Sequence, residues 1–172
     1  MKQLSTWLVA ALFILSISAC SKKDEGASPE DIAKANEFKA FIETKSFQIS
    51  ANDGYYSDKP IDYITDDAEV QSETDLWKYV SLWIKDDVNV FNFTTGQVSI
   101  TQNAHQIEGN TNATIVKPFS VVADKTGVVF NFMNYQYNPL KYHLVEFTNS
   151  YFLVYADWTG GAKVFTKFII LP

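Results

Sequence analysis

Between Pro29 and Thr44 the apolar residues Ile32, Ala35, Phe38, Phe41 and Ile42 recur at intervals of three and four, which places them on one stripe of a helix. Ser28 is a good N-cap for it. Pro29 suits the first turn, and Glu30 and Asp31 meet the positive end of the helix dipole. A helix over residues 29–44 is therefore predicted, packed as a lid or plug on a β domain. From residue 46 onward the period shortens to two. Ser46–Ser50 alternates around Phe47 and Ile49 and ends in the turn Asn52-Asp53-Gly54, and Pro60–Thr65 is a short second strand candidate. Thr74–Lys85 is ambiguous: Leu76, Trp77, Val80, Trp83 and Ile84 fit helical spacing while its β-branched and aromatic content also suits a strand, and a short helix is the preferred reading.

Three hairpins with clear turn chemistry occupy the next stretch. Val88–Phe93 turns through Thr94-Thr95-Gly96 into Gln97–Thr101. Phe119–Ala123 turns through Asp124-Lys125-Thr126-Gly127 into Val128–Met133. Tyr142–Phe147 turns through Thr148-Asn149-Ser150 into Tyr151–Ala156, and a last strand covers Lys163–Leu171. The polar stretch Asn103–Thr114 is a loop or an edge strand. About eight strands joined by tight turns favour an antiparallel up-and-down meander. Val128-Val129-Phe130 and Tyr151-Phe152-Leu153-Val154-Tyr155 are apolar on both faces, so the expected architecture is mainly β, an up-and-down β-barrel or a sandwich with one covered outer face.

The first residues obey another logic. Lys2, the apolar run Trp7–Leu15 and small residues up to Ala19 read as a secretory signal, too short for the roughly 20 apolar residues of a transmembrane helix. Ile17-Ser18-Ala19-Cys20 resembles the lipobox of bacterial lipoproteins, in which the cysteine thiolate takes a diacylglycerol as a thioether. Cys20 is the only cysteine of the chain. The predicted organisation is a lipoprotein signal peptide (residues 1–19), a lipidated tether (20–28) and a single β domain with its N-terminal helix (29–172). Acyl chains such as palmitate on Cys20 contribute ~0.8 kcal/mol per buried CH2, and more than one chain makes anchoring stable. Ser21-Lys22-Lys23-Asp24-Glu25 is similar to the charged export signal of Bacteroidota lipoproteins sent to the outer face of the outer membrane. The resemblance implies an outer-membrane, lipid-anchored protein exposed at the cell surface.

Charge narrows the partners. All 14 basic residues are lysine, against 20 acids, so the forked donor that reads phosphate and guanine is missing and nucleic acid is not an expected partner. Residues 53–87 hold ten acids and three lysines, a balance of -7, and the rest of the chain beyond residue 19 sums to zero. A solvated acidic loop region accounts for this. The pairs Asp66-Asp67 and Asp86-Asp87 lack the regular ligand spacing and central glycine of a calcium loop.

The segment Lys85-Asp86-Asp87-Val88-Asn89-Val90-Phe91-Asn92-Phe93 resembles the lipocalin-like (calycin-type) lipoproteins of Bacteroidota, which carry a similar acidic pair before an aromatic strand. Tyr142–Val154, a strand, a short polar turn and a second apolar strand, looks like the paired strands those proteins place near their C-terminus. The likeness covers residues 70–172 and implies an eight-stranded barrel with an apolar pocket.

No catalytic motif stands out. His105 and His143 have no metal-spaced partners, and there is no Gly-x-Ser-x-Gly elbow, phosphate loop or nucleotide fingerprint. Glu108, Glu146 and Asp157 could form a carboxylate pair only by converging in space. The expectation is a non-enzyme without cofactor or metal. Aromatics in loops cost solvation unless they pack or bind, so Trp77, Trp83, Tyr135, Tyr137 and Trp158 are the candidate ligand-binding residues, or else they plug the ends of the barrel. The expected function is a non-catalytic binding module for a small apolar or amphipathic ligand. The alternatives are an accessory subunit of an outer-membrane protein complex and a carbohydrate-binding surface lipoprotein.

Overall fold

The computed structural model describes residues 26–43, 45–64, 69–106, 113–133 and 139–172. Cys20 and the tether up to residue 25 lie outside the described residues. In chain order the elements are α1 (Pro29–Ile42), β1 (Ser46–Ile49), β2 (Tyr55–Ile64), β3 (Glu69–Asp75), a 3-10 turn (Trp77–Tyr79), α2 (Leu82–Lys85), β4 (Val88–Asn92), β5 (Gln97–Thr101), β6 (Thr114–Asp124), β7 (Gly127–Met133), β8 (Pro139–Phe147), β9 (Tyr151–Asp157), a second 3-10 turn (Thr159–Gly161) and β10 (Lys163–Ile170).

The sheet is antiparallel throughout, and eight of its strands bond in a ring, β1-β4-β5-β6-β7-β8-β9-β10, which closes where β10 pairs with β1. The architecture is thus mainly β and barrel-like. Among the described residues it has ten strands rather than about eight, because β2 and β3 form an extra hairpin attached to the same edge of β10 that β1 occupies. Phe47, Gln48 and Ile49 face Ile170, Ile169 and Phe168, while Tyr55, Tyr56 and Ser57 continue along β10 opposite Thr166, Phe165 and Val164. Between them residues 50–54 loop outward. Ser50 donates its N–H to the Lys167 carbonyl and the Gly54 carbonyl accepts from the Lys167 N–H, so one ladder runs past the insertion.

Local chemistry sets most element ends. The Ser28 hydroxyl accepts the Asp31 N–H at 3.1 Å and Pro29 opens α1 as predicted. The helix stops at Ile42, short of Thr44, because Glu43 already bridges to Phe91 and its carboxylate accepts the Phe93 N–H at 3.0 Å. The predicted helix over Thr74–Lys85 is mostly something else: the end of β3, a 3-10 turn and the four-residue α2. Its helical spacing of large residues serves one buried anchor, Leu76, whose N–H is taken by the Tyr55 carbonyl.

Antiparallel alternation gives the ring two distinct ends. The β4–β5, β6–β7 and β8–β9 turns share one end with α1, and the β5–β6, β7–β8 and β9–β10 connections share the other with α2 and the β2–β3 hairpin. At the helix-capped end Phe38, Phe41 and Ile42 join Phe47, Phe91, Phe119, Phe130, Phe152 and Phe168 in one core. The rings meet mostly edge to face: Phe38 and Phe152 centre 5.3 Å apart, Phe91 and Phe130 5.4 Å, and Phe47 and Phe152 5.0 Å. Such pairs add ~0.5–1.5 kcal/mol beyond area burial. A bulge at Val145 flips the parity of β8, so that Tyr142 and Leu144 and then Phe147 all contribute to the same core. A smaller cluster of Ile61, Leu76, Ala162 and Val164, with Tyr55 and Tyr79, forms where the β2–β3 hairpin meets β10.

The apolar outer positions that suggested a covered face lie on one line. Val122, Val129, His143, Tyr155, Phe165 and Tyr56 are successive register partners across six strands, β6 to β10 and then β2. His143 and Tyr155 stack at 4.9 Å and Phe165 and Tyr56 at 5.0 Å. The row covers itself: cross-strand neighbours bury Val129 and His143 on the outside of the ring.

The looped insertion is fastened by charge. Lys167 Nζ lies 2.5 Å from Asp53 Oδ2, and the Ser50 hydroxyl donates to Asp53 Oδ1. The Lys167 ammonium first, and then Ser50, hold the Asp53 carboxyl below its ordinary value of 3.8, and Asp53 in turn raises Lys167. A depressed acid contributes stability above its unfolded pKa and loses it as pH falls through the folded value. Asp53→Asn should therefore cost a small, solvent-screened amount at neutral pH, under about 1 kcal/mol, and the gap to the parent protein should close on acidification below pH ~4. Urea unfolding at a series of pH values reads this out; a gap that stays constant down to acid pH would contradict it.

Candidate functional site

In each strand a phenylalanine or another apolar residue fills the inner position near the helix-capped end. Towards the other end, five of the eight ring strands place a polar side chain at the next inner position. Asn89 succeeds Phe91 inward on β4, Gln102 comes just past Ile100 at the end of β5, and Lys117 precedes Phe119 on β6. Tyr142 precedes Leu144 on β8, and Thr166 stands on β10 between Val164 of the small cluster and Phe168 of the large one. Asn89, Gln102, Lys117 and Thr166 are all buried, Lys117 at 3% exposure. A polar belt thus lies between the phenylalanine core inside the ring and the smaller cluster where the β2–β3 hairpin meets β10.

A buried ammonium or amide is costly unless partnered, and the belt meets only part of this cost locally, the buried Thr166 hydroxyl and Gln102 Nε2 making no hydrogen bond among the described residues. The Asn89 amide donates to the Phe47 carbonyl at 3.4 Å. Lys117, Gln102 and the buried Asp87 before β4 are each engaged by neighbours. Burial, with Tyr55 close by, raises the Tyr142 phenol far above its usual range, and Thr166 partly offsets the shift; burial alone raises Tyr55. The belt and its surroundings therefore present neutral phenols beside amides, a hydroxyl and the side chains of Lys117 and Asp87. These groups can orient a polar head by hydrogen bonding. No histidine or serine stands among them to act as a nucleophile or its base.

The residues singled out from sequence are distributed differently. Trp77 lies half-buried in the first 3-10 turn with Lys85 Nζ 5.2 Å above its ring, and Trp158 is 36% exposed in the β9–β10 turn. Both stand at the end opposite α1, and neither is part of the belt. Trp83 belongs to α2, but its side chain is outside the described residues, as are Tyr135, Tyr137 and Cys20. The sequence signal that could have found the belt is Lys117, a lysine in the inner phase of the alternation Ile115-Lys117-Phe119-Val121.

The remaining candidates that are described stand apart from one another, His143 and Asp157 excepted. His105 is exposed, with its ring Nδ1 3.3 Å from Asp86 Oδ2, an oxygen that also accepts the Ala104 and His105 N–H groups. His143 sits in the outer row, Nδ1 3.4 Å from the Thr126 hydroxyl and Nε2 3.7 Å from Asp157. Glu146 pairs in register with Leu153, four residues up β9 from Asp157, which sets the two backbones about 13 Å apart. Glu146 is instead bonded by the Tyr151 hydroxyl at 2.6 Å, and Glu108 lies outside the described residues. Among the described residues no group of three His, Cys, Asp or Glu side chains could hold a metal ion, and no helix is long and apolar enough to cross a membrane.

No protein-family model, no curated protein and no solved structure matches this chain.

Proposed function

We propose that the chain is a lipid-anchored outer-membrane lipoprotein, acylated at Cys20 and displayed at the cell surface, whose ring acts as a lipocalin-like, non-catalytic binding module for a small amphipathic ligand. One observation carries the binding reading: polar side chains occupy inner positions on five of the eight ring strands, between two apolar clusters. A ring built only for stability gains more from apolar filling at that level, since replacing buried polar groups by well-packed apolar ones is often neutral or stabilising. A polar head at the belt, with its tail along the apolar side chains beside it, gives these residues a use. The phenylalanine core fills the helix-capped half, which supports the other half as the ligand's place in this reading.

The test uses the mature domain and two fluorescent probes of equal chain length, a polyene fatty acid and the corresponding alcohol. Saturable binding of the acid is expected, with Lys117→Met weakening it about tenfold or more, the loss of one hydrogen bond to a charged group, and leaving the alcohol unaffected. Absence of saturable binding for both probes would remove the reading. The reading as an accessory subunit of an outer-membrane complex is favoured by Val116 and Leu82, which are 50% and 57% exposed near the same end. It predicts a discrete larger assembly on native electrophoresis of gently solubilised membranes.

A further inference from the structure

Two independent features of the domain are asymmetric along the ring axis. The first is where the chain enters. Gly26 rests against the β6–β7 turn, where an added Cβ would lie 3.2 Å from Lys125 Cβ, and Asp31 in the first turn of α1 lies beside Gly127. The entry point is therefore at the helix-capped end. Six residue steps separate Cys20 from Gly26, a reach of at most about 20 Å. The second is charge. Five of the ten acids of residues 53–87, Asp58, Asp62, Glu69, Glu73 and Asp75, lie on β2 and β3, and this hairpin extends beyond the ring at the opposite end, where Asp58 accepts the Lys163 N–H and Lys59 bonds the Gly161 carbonyl. The other segments are neutral in sum; at the helix-capped end Lys34, Lys39 and Lys125 stand against Glu30, Asp31, Glu37 and Asp124, a balance of -1, far less acidic than the -7 of residues 53–87.

We infer that the helix-capped end, built from α1 and the β6–β7 turn, is the surface that faces the lipid bilayer, and that the acidic hairpin and the belt's end of the ring point away from it. The inference rests on the anchoring proposed above. A short tether restricts which face can reach the lipid headgroups. An anionic surface then selects among the remaining orientations: acids close to it are repelled, whereas acids held more than the ~8 Å screening length away feel little of it. Both effects favour the same pose. Ligand exchange accordingly takes place on the aqueous side, away from the anchoring membrane.

The experiment uses the full acylated protein in vesicles of phosphatidylcholine with a minority of phosphatidylglycerol. Acylation occupies Cys20, so Lys125→Cys and, separately, Thr159→Cys each give one site for a nitroxide. A nickel-chelating lipid relaxes nitroxides near the headgroups. Strong relaxation is expected at position 125 and none at position 159. Equal or reversed relaxation in protein that floats with the vesicles overturns the orientation alone. Failure of the acylated protein to float, with Cys20→Ser behaving identically, overturns the anchoring and the orientation with it.

Discussion

Phe38→Ala should lower the unfolding free energy by about 3–5 kcal/mol, the range for removing a fully buried phenylalanine. The side chain is fully buried and its ring meets Phe41, Phe130, Phe147 and Phe152, at 5.3 Å in the last case. Alanine gains at most ~0.7 kcal/mol in helix propensity, so the cavity term dominates the sign. Phe38 also links α1 to β7, β8 and β9. Loss of its ring should loosen the helix before the sheet, and amide exchange in residues 29–42 should accelerate more than in β7 and β9. Urea unfolding with hydrogen exchange checks both; a cost under about 1 kcal/mol would mean that α1 does not plug the ring.

The second large effect is expected at Gly54. Replacing glycine by alanine often stabilises a protein by ~0.4–1 kcal/mol through the unfolded chain, where the native backbone admits it. The local backbone here does not. An added Cβ would overlap the Ser50 carbonyl oxygen and sit 2.6 Å from Ile49 Cγ2 and 2.9 Å from the Ser50 carbonyl carbon. The obstacle is main chain already committed to Lys167, so relief requires opening the ladder at the insertion. Gly54→Ala should cost about 3 kcal/mol or more, measured as a lowered urea midpoint. An unchanged midpoint would show that residues 50–54 do not hold this conformation.

The hairpins β4–β5, β6–β7 and β8–β9 were legible because turn residues punctuate segments whose apolar positions alternate. β3 was not. Glu69-Val70-Gln71-Ser72-Glu73-Thr74-Asp75 has one apolar residue, and its pairing is supplied by β2 alone, through an irregular register and an Asp62 carboxylate that accepts the Ser72 N–H. The first half of β6 was missed for a related reason: Lys117 points in while Val116 points out, which inverts the expected pattern. Apolar residues on both strand faces did signal something real, the outer row from Val122 to Tyr56, although register was needed to join six separated residues into one line. The belt was hidden in the same way. Asn89, Gln102, Lys117, Tyr142 and Thr166 each look ordinary in their own strand, and only closure of the ring brings their positions to one level. Loop aromatics drew the eye because exposed rings are costly, yet Trp77 and Trp158 mark the end of the ring rather than its interior.

The seam between β1 and β10 has a kinetic consequence. Only three residue pairs close the circle there, and they join positions more than 115 apart in sequence, the last of them Phe47 with Ile170. Every other neighbouring pair from β4 to β10 is local and can zip as the polypeptide emerges. Closure must wait for the residues of β10, and long-range pairings of this kind are slow to form. Until they arrive, the nascent sheet carries two bare edges that invite pairing with other chains. A chaperone that holds the unfinished product would find its binding surface along β1 and β9, and a product cut within β10 is prone to aggregate rather than slightly less stable.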